Sequence, residues 1–199
     1  MSIKIGERFI VLRSSESVDS SERIPIILEP GKAFGSGEHE TTRNCLEELE
    51  NIPIFPHSKV LDLGCGTGIL SIAAAMLGAR SIIALDPDPD AIKATANNIS
   101  LNRLEKIILP FQGELREIRE TSYDLKDTHL DLIMANLYGD ILLALIADLI
   151  SLLKSGGYML LSGIEFEYAY ELKTGLINAG CKLLKTRFLD EYCTMVFQK

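Results

Sequence analysis

From Lys59 onwards the chain alternates short apolar runs with longer runs of helical periodicity, and this alternation constrains the fold more than any other feature. Five apolar runs are typical of strands: KVLDLG, SIIALD, KIILPF, LDLIMANL and YMLLSG. Four of them lead into helical runs: GILSIAAAMLG, DPDAIKATANNISLN, GDILLALIADLISLLK and EFEYAYELKTGLINAG. Strands that alternate with helices form a parallel, doubly wound sheet with helices on both faces, so we predict an α/β, Rossmann-like fold.

The segments on either side of this alternation add further elements. ERFIVLR and RIPIILE are predicted to be short strands joined by a mobile polar loop, SSESVDSSE, and HETTRNCLEELENI is predicted to be a helix. The last segment, CKLLKTRFLDEYCTMVFQK, is predicted to be a hairpin that supplies an antiparallel strand. Gly156 and Gly157 are predicted to cap the helix before them. With 199 residues, the chain fits one structural domain.

Composition argues against several classes of function. The formal net charge of −8 disfavours direct binding to nucleic acid, which needs a basic face, and suits a cationic ligand or a basic protein partner. The most apolar run, ILLALIADLISLL, contains Asp148 and is too short to span a membrane. Four cysteines without C-x-x-C spacing and three scattered histidines predict no metal site. The N-terminus lacks the apolar core of a signal peptide, so we expect a cytoplasmic protein with reduced thiols.

A glycine-rich turn, VLDLGCGTGIL, follows the first strand of the alternation and is the strongest functional signal. Gly64, Gly66 and Gly68 form a G-x-G-x-G pattern, whereas a dinucleotide-binding loop has G-x-G-x-x-G. The spacing found here is associated with S-adenosylmethionine, which has no pyrophosphate for the loop to bind. Glycines at the carboxyl end of a strand let the backbone approach a ligand, so we expect Gly64 and Gly66 to line a cofactor site. The alternative is a plain strand-to-helix turn.

Asp86 ends the second strand of the alternation, in SIIALDPDPD. A carboxylate at this strand end can accept hydrogen bonds from both ribose hydroxyls of a nucleoside. Dehydrogenases share this arrangement, so the acid by itself indicates only the nucleoside half of a cofactor. The alternative for Asp86 is an acid of the following helix N-terminus, beside Asp88 and Asp90.

Asn136 ends the fourth strand, in LDLIMANLYG, and is predicted to lie at the edge of the cleft next to the first strand. A neutral amide there can accept a hydrogen bond from an amine and hold the nitrogen lone pair towards a sulfonium methyl group. Methyl transfer is an in-line displacement, so alignment of this kind supplies much of the rate. The alternative is an asparagine that caps the following helix.

The stretch GKAFGSGEHETT suggests a phosphate loop or a metal site, but its spacing fits neither. It lacks the Lys-Ser or Lys-Thr pair of a phosphate loop, and Arg43 stands where a zinc protease needs its second histidine. We interpret Gly31, Gly35 and Gly37 as hinges of a loop that closes over the cofactor. The alternative is a surface turn, because Gly, Ser and Thr clusters usually mark turns.

These motifs, in their order along the chain, resemble the ribosomal protein L11 methyltransferase (PrmA-type) family. The resemblance rests on GERFIVL, IPIILEPGKAFGSGEHETT, VLDLGCGTGILSIAAAMLGA, ALDPDPDAIKATANNISLN, ANLYGDIL and LSGI. It implies the seven-stranded, mostly parallel sheet of class I methyltransferases, with an antiparallel last strand. It also implies S-adenosylmethionine as the cofactor and methylation of lysine side chains and an N-terminal α-amine of the ribosomal protein.

Site residues and domain limits follow from this resemblance. It makes Thr42, Gly64, Asp86 and Asn136 cofactor-binding positions, with Asn136 also catalytic because it faces the incoming amine. We expect N-terminal strands and a cofactor-lid loop over 1–38 and the methyltransferase catalytic domain over 39–199. Family members also carry a separate N-terminal domain that recognises the ribosomal protein, and the 23 residues before IPIILEP are too few to form it.

Three other functions remain open from the sequence. One is a methyltransferase of the same fold that acts on another protein or on a small amine. Another is a non-catalytic cofactor-binding subunit, although an intact glycine turn and Asn136 speak against decay of the site. The last is an NAD-dependent oxidoreductase, which the G-x-G-x-G spacing disfavours.

Overall fold

The computed structural model describes residues 2–16, 22–120 and 130–199, with the backbone alone at 118–120. Most of the predicted mobile loop lies outside these residues. The described strands are β1 (Ile3–Ile5), β2 (Phe9–Arg13), β3 (Ile24–Leu28), β4 (Lys59–Leu63), β5 (Ser81–Asp86), β6 (Ile108–Gln112), β7 (Leu130–Asn136), β8 (Leu153–Glu165), β9 (Lys182–Phe188) and β10 (Tyr192–Gln198). The described helices are α1 (Glu40–Leu49), α2 (Ile69–Met76), α3 (Pro89–Leu101), α4 (Leu115–Glu120), α5 (Gly139–Leu152) and α6 (Phe166–Asn178).

Seven strands form the central sheet in the order β6-β5-β4-β7-β8-β10-β9. Neighbouring strands from β6 to β8 run parallel, whereas β10 is antiparallel to both β8 and β9. Side chains of β4 alternate between two apolar clusters, with Val60 in one and Leu61 in the other. Helices α1, α2 and α3 contribute to the first cluster and α5 and α6 to the second, so both faces are covered. The predicted doubly wound sheet with an antiparallel last strand is confirmed.

A second, three-stranded sheet is built from β1, β2 and β3 and packs on the same core. Strand β1 is antiparallel to β2, and β3 is parallel to it. Asn102, the C-cap of α3, is hydrogen-bonded to β3. Its side-chain amide accepts a hydrogen bond from Ile27 N (3.0 Å) and donates one to Ile27 O (2.7 Å). The N-terminal strands therefore share a core with α1–α3, and the division at residue 38 stays a prediction.

One predicted boundary is wrong. Gly156 and Gly157 do not cap α5, because the helix ends at Leu152 and both glycines lie within β8. Leu153 pairs with Leu130 of β7, and both glycines are hydrogen-bonded to Lys199 through Gly156 N to Lys199 O (2.6 Å) and Lys199 N to Gly157 O (3.0 Å). Pairing with the distant last residue outweighs the local helix-ending signal of two glycines. The short elements β1 and α4 were not predicted.

Candidate active site

A cleft of about 370 Å³ lies at the carboxyl ends of β4, β5 and β7, where doubly wound sheets bind their ligands. Twelve residues line it: Phe34, His39, Thr41, Gly64, Gly66, Asp86, Pro87, Asn136, Leu137, Tyr138, Gly163 and Tyr192. Four of the five predicted site residues are among them. Thr42 is the exception.

The glycine loop (residues 64–68) connects β4 to α2 and forms the floor of the cleft. Its first two amides, Gly64 N and Cys65 N, both donate to Leu85 O, at 2.8 and 3.1 Å. Gly66 has φ of +55°, and a Cβ there would collide with the backbone carbonyl oxygen of Phe34. Only glycine fits this position, because a side chain would meet both backbone strain and a neighbouring backbone. The glycine loop is therefore more than a plain strand-to-helix turn, because the close approach of the Phe34 backbone requires a glycine at position 66.

Asp86 is bound to the glycine loop through its carboxylate. Its Oδ2 accepts a hydrogen bond from Gly66 N at 3.0 Å, and its Oδ1 accepts one from Asp88 N at 3.0 Å. A carboxylate has about four acceptor sites, so two remain for ligand hydroxyls. Asp88, by contrast, caps α3 by accepting from Asp90 N at 2.9 Å. Asp88, and not Asp86, is therefore the N-cap of α3, and Asp86 faces the cleft.

A buried acid supports the glycine loop from below. Asp62 of β4 accepts hydrogen bonds on Oδ2 from Ser71 N (3.0 Å) and Ser71 Oγ (2.7 Å), which ties the first turn of α2 to the strand. Burial raises the pKa of Asp62 from 3.8 to about 6, against the hydrogen bonds from Ser71. Burial also raises the pKa of the Cys65 thiol, whose Sγ lies 3.4 Å from Thr95 Oγ1. A protonated, buried thiol is unreactive, so Cys65 acts as a small packing residue of the loop.

The lid loop (residues 29–39) contains most of GKAFGSGEHETT and lies across the glycine loop. Phe34 O accepts from Thr67 N at 2.9 Å, and Gly35 O accepts from Thr67 Oγ1 at 2.7 Å. Gly35 and Gly37 have positive φ values of +103° and +83°, whereas Gly31 does not. The stretch therefore contacts the glycine loop directly, while its closure over a cofactor and the hinge role of its glycines stay predictions.

Asn136 lies at the end of β7, the strand next to β4, as predicted. Its Nδ2 lies 3.2 Å from Thr41 Oγ1 and 3.5 Å from Thr42 Oγ1. Gly163, with φ of +77°, leaves room beside it, because a Cβ there would be 3.0 Å from Asn136 Oδ1. The N-cap of α5 is Tyr138, without a side-chain hydrogen bond, so Asn136 does not cap that helix.

Thr41 and Thr42 are both buried, and of the two Thr41 lines the cleft. The two threonines follow His39, the N-cap of α1, whose Nδ1 lies 2.8 Å from Thr41 Oγ1 and accepts from Thr41 N at 3.3 Å. Thr42 therefore contacts Asn136 at the edge of hydrogen-bonding distance, and its contact with a cofactor stays a prediction.

The mouth of the cleft is aromatic and acidic. The His39 ring lies between Phe34 and Tyr192, with centroid distances of 5.3 and 5.8 Å. Burial raises the pKa of the Tyr192 hydroxyl, helped by nearby acids that include Glu191 and Glu165, so the phenol stays neutral at pH 7. Aromatic faces and carboxylates together suit a cationic group.

Several lining residues carry no sequence signal for a role in the cleft. Tyr192 comes from the C-terminal hairpin, more than fifty residues along the chain from every other lining residue except Gly163. Gly163 could be suspected from its position at the end of an apolar run, and Thr41 from its place beside Thr42. In the described part of the chain, no group of three or more His, Cys, Asp or Glu side chains could hold a metal ion. Among the same residues, no helix has the length and apolarity that crossing a membrane requires.

Comparison with known proteins gives a consistent result. The family model for "Ribosomal protein L11 methyltransferase (PrmA)" matches residues 2–199. A ribosomal protein L11 methyltransferase from Geobacillus thermodenitrificans is 37% identical over 196 residues, covering 98% of this chain and 60% of the relative. The chain thus spans about 60% of the length of the relatives it matches.

Solved structures extend the likeness to the fold. A ribosomal protein L11 methylase from Lactobacillus delbrueckii subsp. bulgaricus superimposes with a TM-score of 0.85 at 28% identity, covering 100% of this chain and 98% of that one. A protein whose crystal structure contains S-adenosylhomocysteine (SAH) has a TM-score of 0.69 at 14% identity, over 82% of this chain and 50% of its own. Because the family model covers nearly every residue, this chain belongs to the ribosomal protein L11 methyltransferase (PrmA) family.

Proposed function

We propose that this chain is an S-adenosylmethionine-dependent protein N-methyltransferase that modifies lysine and α-amino nitrogens of ribosomal protein L11. The observation that carries the proposal is the position of Asn136, whose amide is held beside the glycine loop and Asp86 in one cleft. The names of the relatives supply the acceptor, since they are ribosomal protein L11 methyltransferases.

The residues of the cleft fit the cofactor. Gly64 and Gly66 keep the floor free of side chains, and Asp86 retains free acceptor sites for the two ribose hydroxyls. When bound, S-adenosylmethionine supplies an electrophilic methyl group on a sulfonium. NAD is disfavoured, because the third glycine of its loop is missing: Ile69 or Ser71 stands there.

In the proposed reaction, Asn136 orients the acceptor. A lysine ammonium first loses a proton to water, since only the free amine has a lone pair and its ordinary pKa is about 10.4. Asn136 Oδ1 accepts a hydrogen bond from the amine, which directs the lone pair at the methyl carbon. Bound S-adenosylmethionine would supply the methyl group to this lone pair, the electron pair of its C–S bond would stay on sulfur, and the extra proton on nitrogen would leave to water. Alignment is the main contribution, so no strong side-chain base is needed.

Charge at the mouth of the cleft supports a basic protein as the acceptor. The pKa of Tyr192, a residue that lines the cleft, is raised by burial and by the negative charges of Glu191, Glu165 and Glu40. Negative charge at the entrance raises the local concentration of a cationic lysine side chain. We extend the proposal to a cytoplasmic location, because the acceptor is a ribosomal protein and all four cysteines are free and buried thiols.

Two measurements test this function. Calorimetry should give binding of S-adenosylmethionine and none of NAD. Incubation with methyl-labelled S-adenosylmethionine and purified ribosomal protein L11, followed by mass spectrometry, should place label on lysine or α-amino nitrogens. Asn136→Ala should lower kcat far more than it lowers affinity for the cofactor. Absence of S-adenosylmethionine binding would overturn the proposal, and cofactor binding without label on ribosomal protein L11 would overturn its acceptor.

A further inference from the structure

We propose that His39 and Thr41 are positioning residues that fix which end of the Asn136 amide faces the acceptor amine. This inference rests on the proposed function, because it concerns the same amide. It starts from the N-terminus of α1, where a helix cap, a hydroxyl and the amide are joined in one hydrogen-bonded chain.

The first link is the helix cap. His39 is the N-cap of α1 and its Nδ1 accepts from Thr41 N at 3.3 Å. A ring nitrogen that accepts from a backbone amide carries no hydrogen, so this contact assigns the Nε2–H tautomer to His39. The rings of Phe34 and Tyr192 contact this exposed imidazole, with centroid distances of 5.3 and 5.8 Å. Capping therefore selects the tautomer of His39.

The second link is the Thr41 hydroxyl. Its Oγ1 lies 2.8 Å from His39 Nδ1. Because Nδ1 carries no hydrogen, the hydroxyl is the donor in this contact and shares the Nδ1 lone pair with Thr41 N in a three-centre bond. A hydroxyl has one hydrogen, so Thr41 Oγ1 can only accept from any other group. The cap thus turns Thr41 into an acceptor towards Asn136.

The third link is the amide itself. Asn136 presents its NH₂ to Thr41 Oγ1 at 3.2 Å and to Thr42 Oγ1 at 3.5 Å, because the Thr41 hydroxyl has no hydrogen left for the carbonyl oxygen. Oδ1 then lies on the side of Gly163, another residue of the cleft, where the absence of a Cβ leaves space. A reversed amide would lose the hydrogen bond to Thr41. Its NH₂ group would then face the N–H groups of the amine, and two donors cannot form a hydrogen bond. The chain of hydrogen bonds therefore keeps the carbonyl oxygen of Asn136 turned towards the amine that receives the methyl group.

Two pairs of variants separate this role from simple packing. Thr41→Val keeps the shape but removes the hydroxyl, whereas Thr41→Ser keeps the hydroxyl. His39→Leu removes the ring acceptor, whereas His39→Asn places an oxygen near the position of Nδ1 and is a good N-cap. We expect Thr41→Val and His39→Leu to lower kcat about 10- to 100-fold, with Kd for S-adenosylmethionine changed less than about 3-fold. Thr41→Ser and His39→Asn should restore most of kcat.

A double-mutant comparison tests whether the effect passes through Asn136. In an Asn136→Ala background, Thr41→Val should reduce kcat by less than about 2-fold further, because the amide that it positions is gone. Equal losses from Thr41→Val and Thr41→Ser would overturn the inference. So would a full additional loss in the Asn136→Ala background.

A spectroscopic measurement distinguishes failure of this inference from failure of the proposed function. In protein labelled with ¹⁵N-asparagine, the Asn136 side-chain NH₂ pair can be assigned from its loss in Asn136→Ala. Thr41→Val and His39→Leu should shift this pair and speed its hydrogen exchange, whereas Thr41→Ser should not. An unshifted pair would overturn the inference even in an active enzyme. The shift would support it even if S-adenosylmethionine did not bind, in which case the proposed function alone would fail.

Discussion

The glycine loop (residues 64–68) and the lid loop (residues 29–39) both contain several glycines and both line the cleft, yet they are held differently. The glycine loop is almost entirely buried, and the carbonyl groups of Gly66 and Thr67 accept hydrogen bonds from Thr95 Oγ1 (2.8 Å) and Asn98 Nδ2 (2.9 Å) of α3. The lid loop is mostly exposed, with Phe34 54% accessible.

Hydrogen bonds to the glycine loop hold the lid loop in place, whereas the glycine loop is also held by hydrogen bonds from α3. Thr67 supplies two of the lid loop's hydrogen bonds, and Asn98 Oδ1 accepts a third from Glu29 N at 2.8 Å. The lid loop also forms an ion pair between Glu38 and Arg13 at 3.5 Å, but this pair lies on the surface, where ion pairs stabilise little. The glycine loop is therefore fixed by buried hydrogen bonds to β5 and α3, whereas the mostly exposed lid loop is held by hydrogen bonds to Thr67 and Asn98.

The largest effect is expected at the point where the loops meet. Gly66→Ala would force φ of +55° on an alanine and would push its Cβ into the Phe34 carbonyl. We expect affinity for S-adenosylmethionine to fall more than about 100-fold, measured by calorimetry, because backbone on both sides must move. Gly180→Ala is the matched control, since φ there is +93° but nothing lies within 4 Å. It should lower the unfolding free energy by about 1–2 kcal/mol and leave affinity unchanged.

Equal losses of affinity from these two alanine variants would mean that backbone strain alone matters. In that case the close approach of Phe34 to the glycine loop would not hold the two loops together.

The next effect concerns the buried acid under the glycine loop. The folded-state pKa of Asp62 is raised to about 6, so the native state holds this proton more tightly than the unfolded chain does. The free energy of unfolding therefore falls as pH rises from about 4 to about 6, by roughly 3 kcal/mol for this group. Denaturant unfolding of wild type and Asp62→Asn across pH 3.5–8 should give a difference between them that changes by this amount.

The matched control is an acid of the lid loop. Glu38→Gln removes an exposed carboxylate, so its unfolding free energy should stay within about 0.5 kcal/mol of wild type throughout. If Asp62→Asn also followed the wild-type curve at every pH, the carboxylate under the glycine loop would not differ from one at the surface.

The third effect is at Asp86, which accepts a hydrogen bond from the glycine loop and is the proposed acceptor for the ribose hydroxyls. Asp86→Ala should weaken binding of S-adenosylmethionine by about 1–3 kcal/mol, through the loss of hydrogen bonds to a charged group. Asp86→Asn keeps one acceptor oxygen for Gly66 N and should lose less. Calorimetry of the two variants measures the difference. If alanine and asparagine were equally tolerated, the carboxylate would serve neither the ligand nor the loop.

The same contrast explains which parts of the molecule the sequence predicts. The G-x-G-x-G turn, Asp86 and Asn136 follow apolar runs, and the carboxyl ends of parallel strands meet at one edge of the sheet, so their proximity can be inferred. His39 and Tyr192 approach one another only because β10 inserts between β8 and β9, which no local pattern specifies.

Local signals also fail where tertiary pairing overrides them. Gly156 and Gly157 look like a helix end, yet they lie in β8 because the last residue of the chain pairs with them. Thr41 and Thr42 are adjacent and chemically identical, so the sequence cannot tell which one faces the cleft. The rotation of α1 decides, and that rotation follows from the burial of Cys45, Leu46 and Leu49.

The smallest effect tests how far the lid loop depends on a side chain of the glycine loop. Thr67→Val removes the hydroxyl that donates to Gly35 O at 2.7 Å but keeps the shape and the backbone bond from Thr67 N to Phe34 O. We expect the unfolding free energy to fall by about 1 kcal/mol and affinity for S-adenosylmethionine by roughly 3- to 10-fold, because one bond of the lid loop is lost. Thr67→Ser keeps the hydroxyl and should stay close to wild type in both measurements. If Thr67→Val left affinity unchanged while stability fell, the lid loop would hold its place without this side chain, and the two loops would be more alike than their contacts indicate.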